Sequence, residues 1–358
     1  MFKKKSLLLT LVLLLTAALL VAGCGAAKDE GKKEGATKGE DKKTEGEFSV
    51  GMVSDTGGID DESFNQTGWE GVKRAEKELG AKINFIESKR DEDYVPNLTK
   101  FARQKTDISW GIGYKFDKAI PQVAKQFKDS KFGIVDSNLG GDIPDNVVSV
   151  MFKEHEASFL VGVIAAEMTK TDKVGFIGGI TSPTIQKFQV GFEAGVHAVK
   201  PDAKVIVTYA ESFDDVAKGR TLAKGLFDDG ADIVYHAAGG VGKGLFDEVK
   251  TRKQGEFWVI GVDMDQSHLA PDHTLTSMIK RVDVGVFEMT KALKEGDFQG
   301  GKEVQFGLKE NGVGIADNSD KHVPKDVLDK VDEFEKKIVD GEIEVPATPD
   351  ELKEYKAK

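Results

Sequence analysis

From residue 48 to residue 263 the chain repeats one pattern, a short run rich in Val, Ile and Phe followed by a longer stretch with helical spacing. Short apolar runs suit strands buried on both faces, and intervening helices return the chain so that successive strands lie parallel. The pattern predicts strands at Phe48–Asp55, Lys82–Glu87, Ile108–Tyr114, Lys131–Ser137 and Val147–Phe152. A second series is predicted at Lys173–Gly178, Val205–Tyr209, Asp232–Ala238 and Phe257–Asp263. Among the helices, Phe64–Leu79 puts Val72, Ala75 and Leu79 on one face and Lys73, Glu76 and Lys77 on the other, and Glu154–Thr169 is another. Each series has the length of one doubly wound α/β domain, in which ligands sit beyond the carboxyl ends of the strands. Two such parallel-sheet lobes facing each other predict a cleft. The expected division is residues 48–150 plus about 282–300 for the first lobe, and 151–281 plus about 301–345 for the second. The hinge is expected near Ser149–Lys153, Gly261–Asp265 and Lys280–Val282, with a further return near residue 300.

The amino terminus breaks this pattern. Lys3, Lys4 and Lys5 precede an apolar run from Leu7 to Ala22 that ends in small residues before Cys24. A spanning helix needs about 20 apolar residues, so residues 1–23 are expected to be a cleaved secretion signal rather than a retained span. The stretch Val21-Ala-Gly-Cys24 resembles the bacterial lipobox, which implies diacylglyceryl attachment and further acylation, such as palmitate, at Cys24. Stable membrane residence takes more than one acyl chain. From Gly25 to Glu47 almost every residue is Lys, Glu, Asp, Gly or Thr, too polar to fold, so residues 24–47 form an expected tether. Its end-to-end distance would be roughly 25–30 Å.

Removing residues 1–23 takes away three lysines and no acids, and the formal charge moves from −11 to −14. An acidic chain without a basic stripe argues against a nucleic-acid partner. Cys24 is the single cysteine, so the rest of the chain depends on ordinary hydrophobic cores.

The segment Val53–Trp69 combines a glycine-softened loop after the first strand with Phe64 and Asn65 at the start of a helix. It resembles the corresponding loop of the basic membrane protein family, purine-nucleoside receptor lipoproteins of ATP-driven importers. The resemblance continues through Gly175–Gly179, the Phe188–Gly195 run, Ala237–Gly240, Val259–Gln266 and Ser277–Lys280, in order over nearly the whole mature domain. It implies a periplasmic-binding-protein type I fold and a receptor that delivers a purine nucleoside to an ABC permease; a monomer is expected. It also implies that Phe64 is an aromatic platform for the base and Asn65 a hydrogen-bonding partner of the base edge. Asp136 resembles the family aspartate that reads the base, and Lys280 the lysine that contacts the sugar. Asp55 and Asp263 each close an apolar strand, where a carboxylate could accept charge-assisted hydrogen bonds from ribose hydroxyls. Gly239 and Gly240 would let backbone approach the ligand. Phe213 is placed by topology as an opposing aromatic from the second lobe, with Tyr235 and His236 as alternatives.

Without the resemblance, Phe64 reads as a core residue of its helix, the aspartates as caps or loop carboxylates, and Lys280 as a surface lysine. Gly240-Val-Gly-Lys-Gly244 lacks both the dinucleotide fingerprint and the phosphate-loop ending. The six histidines have no ligand-like spacing, and Asp60-Asp61, Asp214-Asp215 and Asp228-Asp229 read as solvated turns and helix starts. No cofactor, metal or enzymatic activity is therefore expected. A sugar or other small solute as ligand, and a surface sensor or adhesin of the same fold, stay open.

Overall fold

The computed structural model describes residues 46–355. The expected signal segment and Cys24, and all of the tether except its last two residues, lie outside the described residues. No helix among them is long and apolar enough to cross a membrane.

Two six-stranded sheets organise the chain. The first is built from β1 (Ser49–Ser54), β2 (Lys82–Glu87), β3 (Ile108–Gly111), β4 (Lys131–Val135), β5 (Val147–Phe152) and, much later, β11 (Lys302–Phe306). Its order is β11-β5-β4-β3-β1-β2, with every pair parallel. The second contains β6 (Lys173–Gly178), β7 (Lys204–Tyr209), β8 (Ile233–Ala237), β9 (Trp258–Asp263), β10 (Thr274–Lys280) and β12 (Val313–Ile315). It runs β12-β10-β9-β8-β6-β7, and its edge pair β10–β12 is antiparallel. Helices cover the sheets, as the burial of Val50, Gly51, Met52 and Val53 on successive positions of β1 requires.

The helices that position the site are α1 (Phe64–Leu79), α4 (Glu154–Met168), α5 (Pro183–Val199) and α8 (Val282–Lys294). Between β2 and β4 lie α2 (Tyr94–Arg103) and α3 (Ala119–Gln126); α6 (Val216–Asp228) and α7 (Gly242–Val249) flank β8; α9 (Lys325–Val339) and α10 (Pro349–Glu354) end the fold. A left-handed Gly80, at φ 64°, closes α1. The backbones of α4 and α5 touch: a Cβ at Gly195 would lie 2.0 Å from Phe159 O, so a larger residue would prise these helices apart.

Within the described residues the chain passes between sheets three times: at Lys153, between β5 and α4; at Arg281, between β10 and α8; and through Gly307–Gly312, between β11 and β12. Two expectations are corrected. The return expected near residue 300 falls after Phe306, because β11 extends the first sheet beside β5; residues 302–306 are not part of the second lobe. Gly261–Asp265 is no crossing, because β9 and β10 belong to the same sheet. The α8 helix returns to the first lobe, where Thr290 accepts a hydrogen bond from Trp110 Nε1 at 3.0 Å and Arg74 stacks 3.7 Å above the Phe287 ring.

Candidate ligand-binding site

Strand ends from both sheets meet at one cavity. Asp55 follows β1, Asp136 follows β4 and Asp263 ends β9, each no more than 6 % exposed. Asp136 and Asp263 adopt φ of 64° and 67°, a left-handed conformation aspartate tolerates better than most residues. Of the sequence-predicted residues, Asp55, Phe64, Asn65, Asp136, Phe213, Gly239, Asp263 and Lys280 line this cavity. Gly240 does not. A Cβ there would lie 3.1 Å from Phe213 O, so its small size serves the packing of the Phe213 loop. Tyr235 and His236 are fully buried, with Tyr235 packed against Phe176 and Phe192, which leaves Phe213 as the cavity aromatic among the three alternatives.

The first-lobe side is set by a loop that folds back on the amino terminus of α1. Ser63 precedes the helix without capping it; Asp61 takes that role. Asp61 Oδ1 accepts from the Ser63 and Gln66 amides at 2.9 and 3.0 Å, and Oδ2 from the Asn65 amide at 2.8 Å. The orphan amides of a helix start favour a carboxylate there. The Asn65 side-chain amide donates to Asp55 Oδ1 at 2.8 Å and to Asp61 Oδ2 at 3.1 Å, which fixes its orientation beside Phe64. Asp61 is 2 % exposed, so the reading of Asp60-Asp61 as a solvated turn holds only for Asp60.

An ionic cluster joins the two lobes in the cavity wall. Lys280, 1 % exposed, places Nζ 2.6 Å from Asp136 Oδ2 and 2.9 Å from Glu154 Oε1. The rings of Phe64, Phe152 and Phe188 surround the ammonium at 4.9–5.4 Å. Glu154 also accepts from Lys187 Nζ at 3.1 Å, and that ammonium donates to Phe152 O at 3.1 Å. Burial opposes the charge on Lys280, but Asp136, Glu154 and Asp263 outweigh it and push the ammonium pKa up. Burial raises the Asp136 carboxyl, while at Glu154 the two lysines overcome burial and hold the carboxyl below its ordinary value. Burial pushes Asp263 up to about 7 and Asp61 to about 6, and raises Asp55 as well. Asp263 accepts from Ser63 Oγ across the lobes.

Asp136 Oδ1 is buried and has no hydrogen-bond partner among the described residues. Such an acceptor is costly unless a donor reaches it, and a ligand in the cavity would supply one. Sequence reasoning missed Asp61, Tyr114, Thr184, Ile185 and Phe188 in the wall. Two carried a signal: Tyr114 closes a predicted strand, and Phe188 opens a run already singled out. Among the described residues no group of three or more His, Cys, Asp or Glu could hold a metal ion.

The model of the family described as ABC transporter substrate-binding protein PnrA-like matches residues 48–349. A CD4+ T-cell-stimulating antigen of Listeria innocua is 42% identical, covering 97% of this chain and 100% of its own. The ABC transporter nucleoside-binding protein BmpA of Lactococcus lactis is 36% identical over 96% of this chain and 99% of its own. Basic membrane protein A of Borreliella afzelii is also 36% identical, over 86% and 94%. Among solved structures, an ABC transporter solute-binding protein of Aeropyrum pernix K1 is similar at a TM-score of 0.78 and 27% identity, covering 86% of this chain and 96% of that one. With two parallel-sheet lobes, strand ends converging on one cavity and a match over most of its length, the chain belongs to the family of PnrA-like ABC transporter substrate-binding proteins.

Proposed function

We propose that the protein is a receptor for purine nucleosides, anchored by lipid at Cys24 on the extracytoplasmic face of the cell membrane, that delivers its ligand to an ABC permease. The observation that carries this reading is the cavity itself, where aromatic rings from both lobes stand beside acceptor carboxylates. A flat base gains burial and dispersion between Phe64 and Phe213. The open Oδ1 of Asp136 suits a base N–H donor, while Asp55 and Asp263 suit vicinal ribose hydroxyls and Lys280 a sugar oxygen. Gly239, at φ 53°, lets backbone come close to the ligand.

The Lactococcus lactis relative, named a nucleoside-binding protein, supports the ligand class. Capture without chemistry agrees with carboxyls spent on capping and ion pairing, since a general base or nucleophile needs an activating partner. The small-residue approach to Cys24 supports the anchor, and the reading takes the receptor as a monomer. Thermal unfolding with millimolar nucleosides tests the ligand class, because a ligand of the native state raises the midpoint by mass action. Guanosine, inosine or adenosine should raise it while cytidine and ribose do not; a rise with ribose alone would replace the proposal with a sugar receptor.

A further inference from the structure

The loop that carries Asp61 and leads into Phe64 is held from the other lobe by one buried amide. We infer that Gln266, which lies outside the cavity wall, is a positioning residue that sets how firmly this loop closes over the ligand. Gln266 is 1 % exposed, and its Oε1 accepts from the Val262 backbone amide at 2.9 Å. A backbone amide can only donate, so the oxygen is identified and Nε2 must point the other way. It points at the first lobe, where it donates to Glu62 O at 2.7 Å. His236 Nε2 lies 2.9 Å from the same Oε1 and must carry a proton to donate; burial lowers that ring to about 4 and keeps it neutral. The Gln266 backbone amide donates to Ser277 Oγ at 3.1 Å. Its side chain is thus anchored to β8 and β9, and its backbone to β10.

The loop needs holding. Glu62 has φ 58°, a conformation that non-glycine residues keep only when their surroundings impose it. Other ties between this loop and the second lobe run from Ser63 to Asp263, from Lys243 to Asp60 O and, at 3.1 Å, from His268 to Glu62. Asp60 and His268 are exposed, and Asp263 faces the cavity. Gln266 is the buried tie whose two ends across the lobes, Gln266 Nε2 and Glu62 O, belong to residues outside the cavity wall, and it meets cavity-lining Val262 only at a main-chain amide, so it influences ligand retention through loop position.

The inference uses the proposed site for the place of the ligand, yet the loop contact can be tested without one. In Gln266→Glu, one carboxylate oxygen still accepts from Val262 and His236 while the other confronts the Glu62 carbonyl, so the fold is kept and the tie is broken. Hydrogen–deuterium exchange on the full chain, corrected for intrinsic rates, should show residues 56–63 and 264–268 exchanging about tenfold faster at pH 8 than in the parent, with β4 and β6 unchanged. Near pH 5, protonation of this buried carboxyl restores a donor and the difference should shrink. Glu62, Asp263, His236 and His268 face this contact in both proteins, so the ratio between variant and parent at each pH isolates residue 266. Unchanged loop exchange at pH 8, or acceleration spread equally through β8 and β9, would overturn the inference. A failure of nucleosides to bind would leave the exchange result standing.

Discussion

Lys280 Nζ lies 2.6 Å from Asp136 Oδ2, so a buried ion pair joins the end of β10 in one sheet to the end of β4 in the other. Glu154, 2.9 Å from the same ammonium, begins α4 directly after the first crossing, and Lys280 precedes the second. One charge cluster therefore ties two hinge segments to the cavity wall. Lys280→Met should leave two buried carboxylates without their shared cation, a loss of about 3–5 kcal/mol at neutral pH. Part of it should return in acid, where the carboxyls take up protons. Urea unfolding at pH 5 and pH 8 measures both; a loss below about 1 kcal/mol at both values would contradict a central role for this pair.

Asp263 gives the protein a pH dependence of definite sign. Burial raises it from 3.8 to about 7, helped by Asp61 and Asp136 and opposed by Lys280 and Ser63. The folded state then binds a proton more tightly than the unfolded chain. Its contribution is full below about pH 4 and declines as pH rises towards 7. Asp61, raised to about 6, acts in the same direction, whereas the contribution of Glu154 is lost as pH falls below 4.5. Asp263→Asn should flatten the fall in stability between pH 4 and 7, measured by urea midpoints across that range. An unchanged slope would place the titration elsewhere.

Asp61→Ala should cost about 1–2 kcal/mol, because three amides at the start of α1 lose their acceptor. Nucleoside affinity should fall with it, as Asn65 loses one of the two carboxylates that orient it. Asp60→Ala, at an exposed position, should change stability by no more than about 0.5 kcal/mol. Equal effects of the two substitutions would refute the capping role.

Phe213→Ala should weaken nucleoside binding by about tenfold or more through lost stacking and burial. Tyr235→Phe should leave affinity unchanged, since the Tyr235 hydroxyl lies 3.1 Å from Ser158 Oγ and outside the cavity wall. Calorimetric titration of both variants separates them, and a Tyr235→Phe variant weaker than Phe213→Ala would reverse the assignment.

The sequence made the parallel strands legible because Val, Ile and Phe dominate strands covered on both faces; β2, β5 and β6 have the expected bounds. Edge strands were harder. Lys302–Phe306 has no fully buried position, and Val313–Ile315 has three residues, so neither leaves a strong apolar signal. Thr274–Lys280 is buried apart from Ile279, yet Thr and Ser interrupt its apolar run. Lys280 consequently had no strand to bury it, and its residue type alone suggests the surface. Asp61 and Glu154 were illegible for a different reason. A carboxylate at a helix start is usually solvated; Asp61 reaches the α1 amides through its own loop, but only tertiary structure buries it there, and only tertiary structure brings Glu154 to Lys280 and Lys187.

The most direct measurement is calorimetric titration of the refolded protein, freed of carried-over ligand, with guanosine, inosine, adenosine, cytidine and ribose. At least one purine nucleoside should bind with micromolar or tighter affinity, and that binding should be lost in Phe64→Ala and Asp263→Ala. Absence of binding by all three purine nucleosides, or binding that survives both substitutions, would contradict the proposed function.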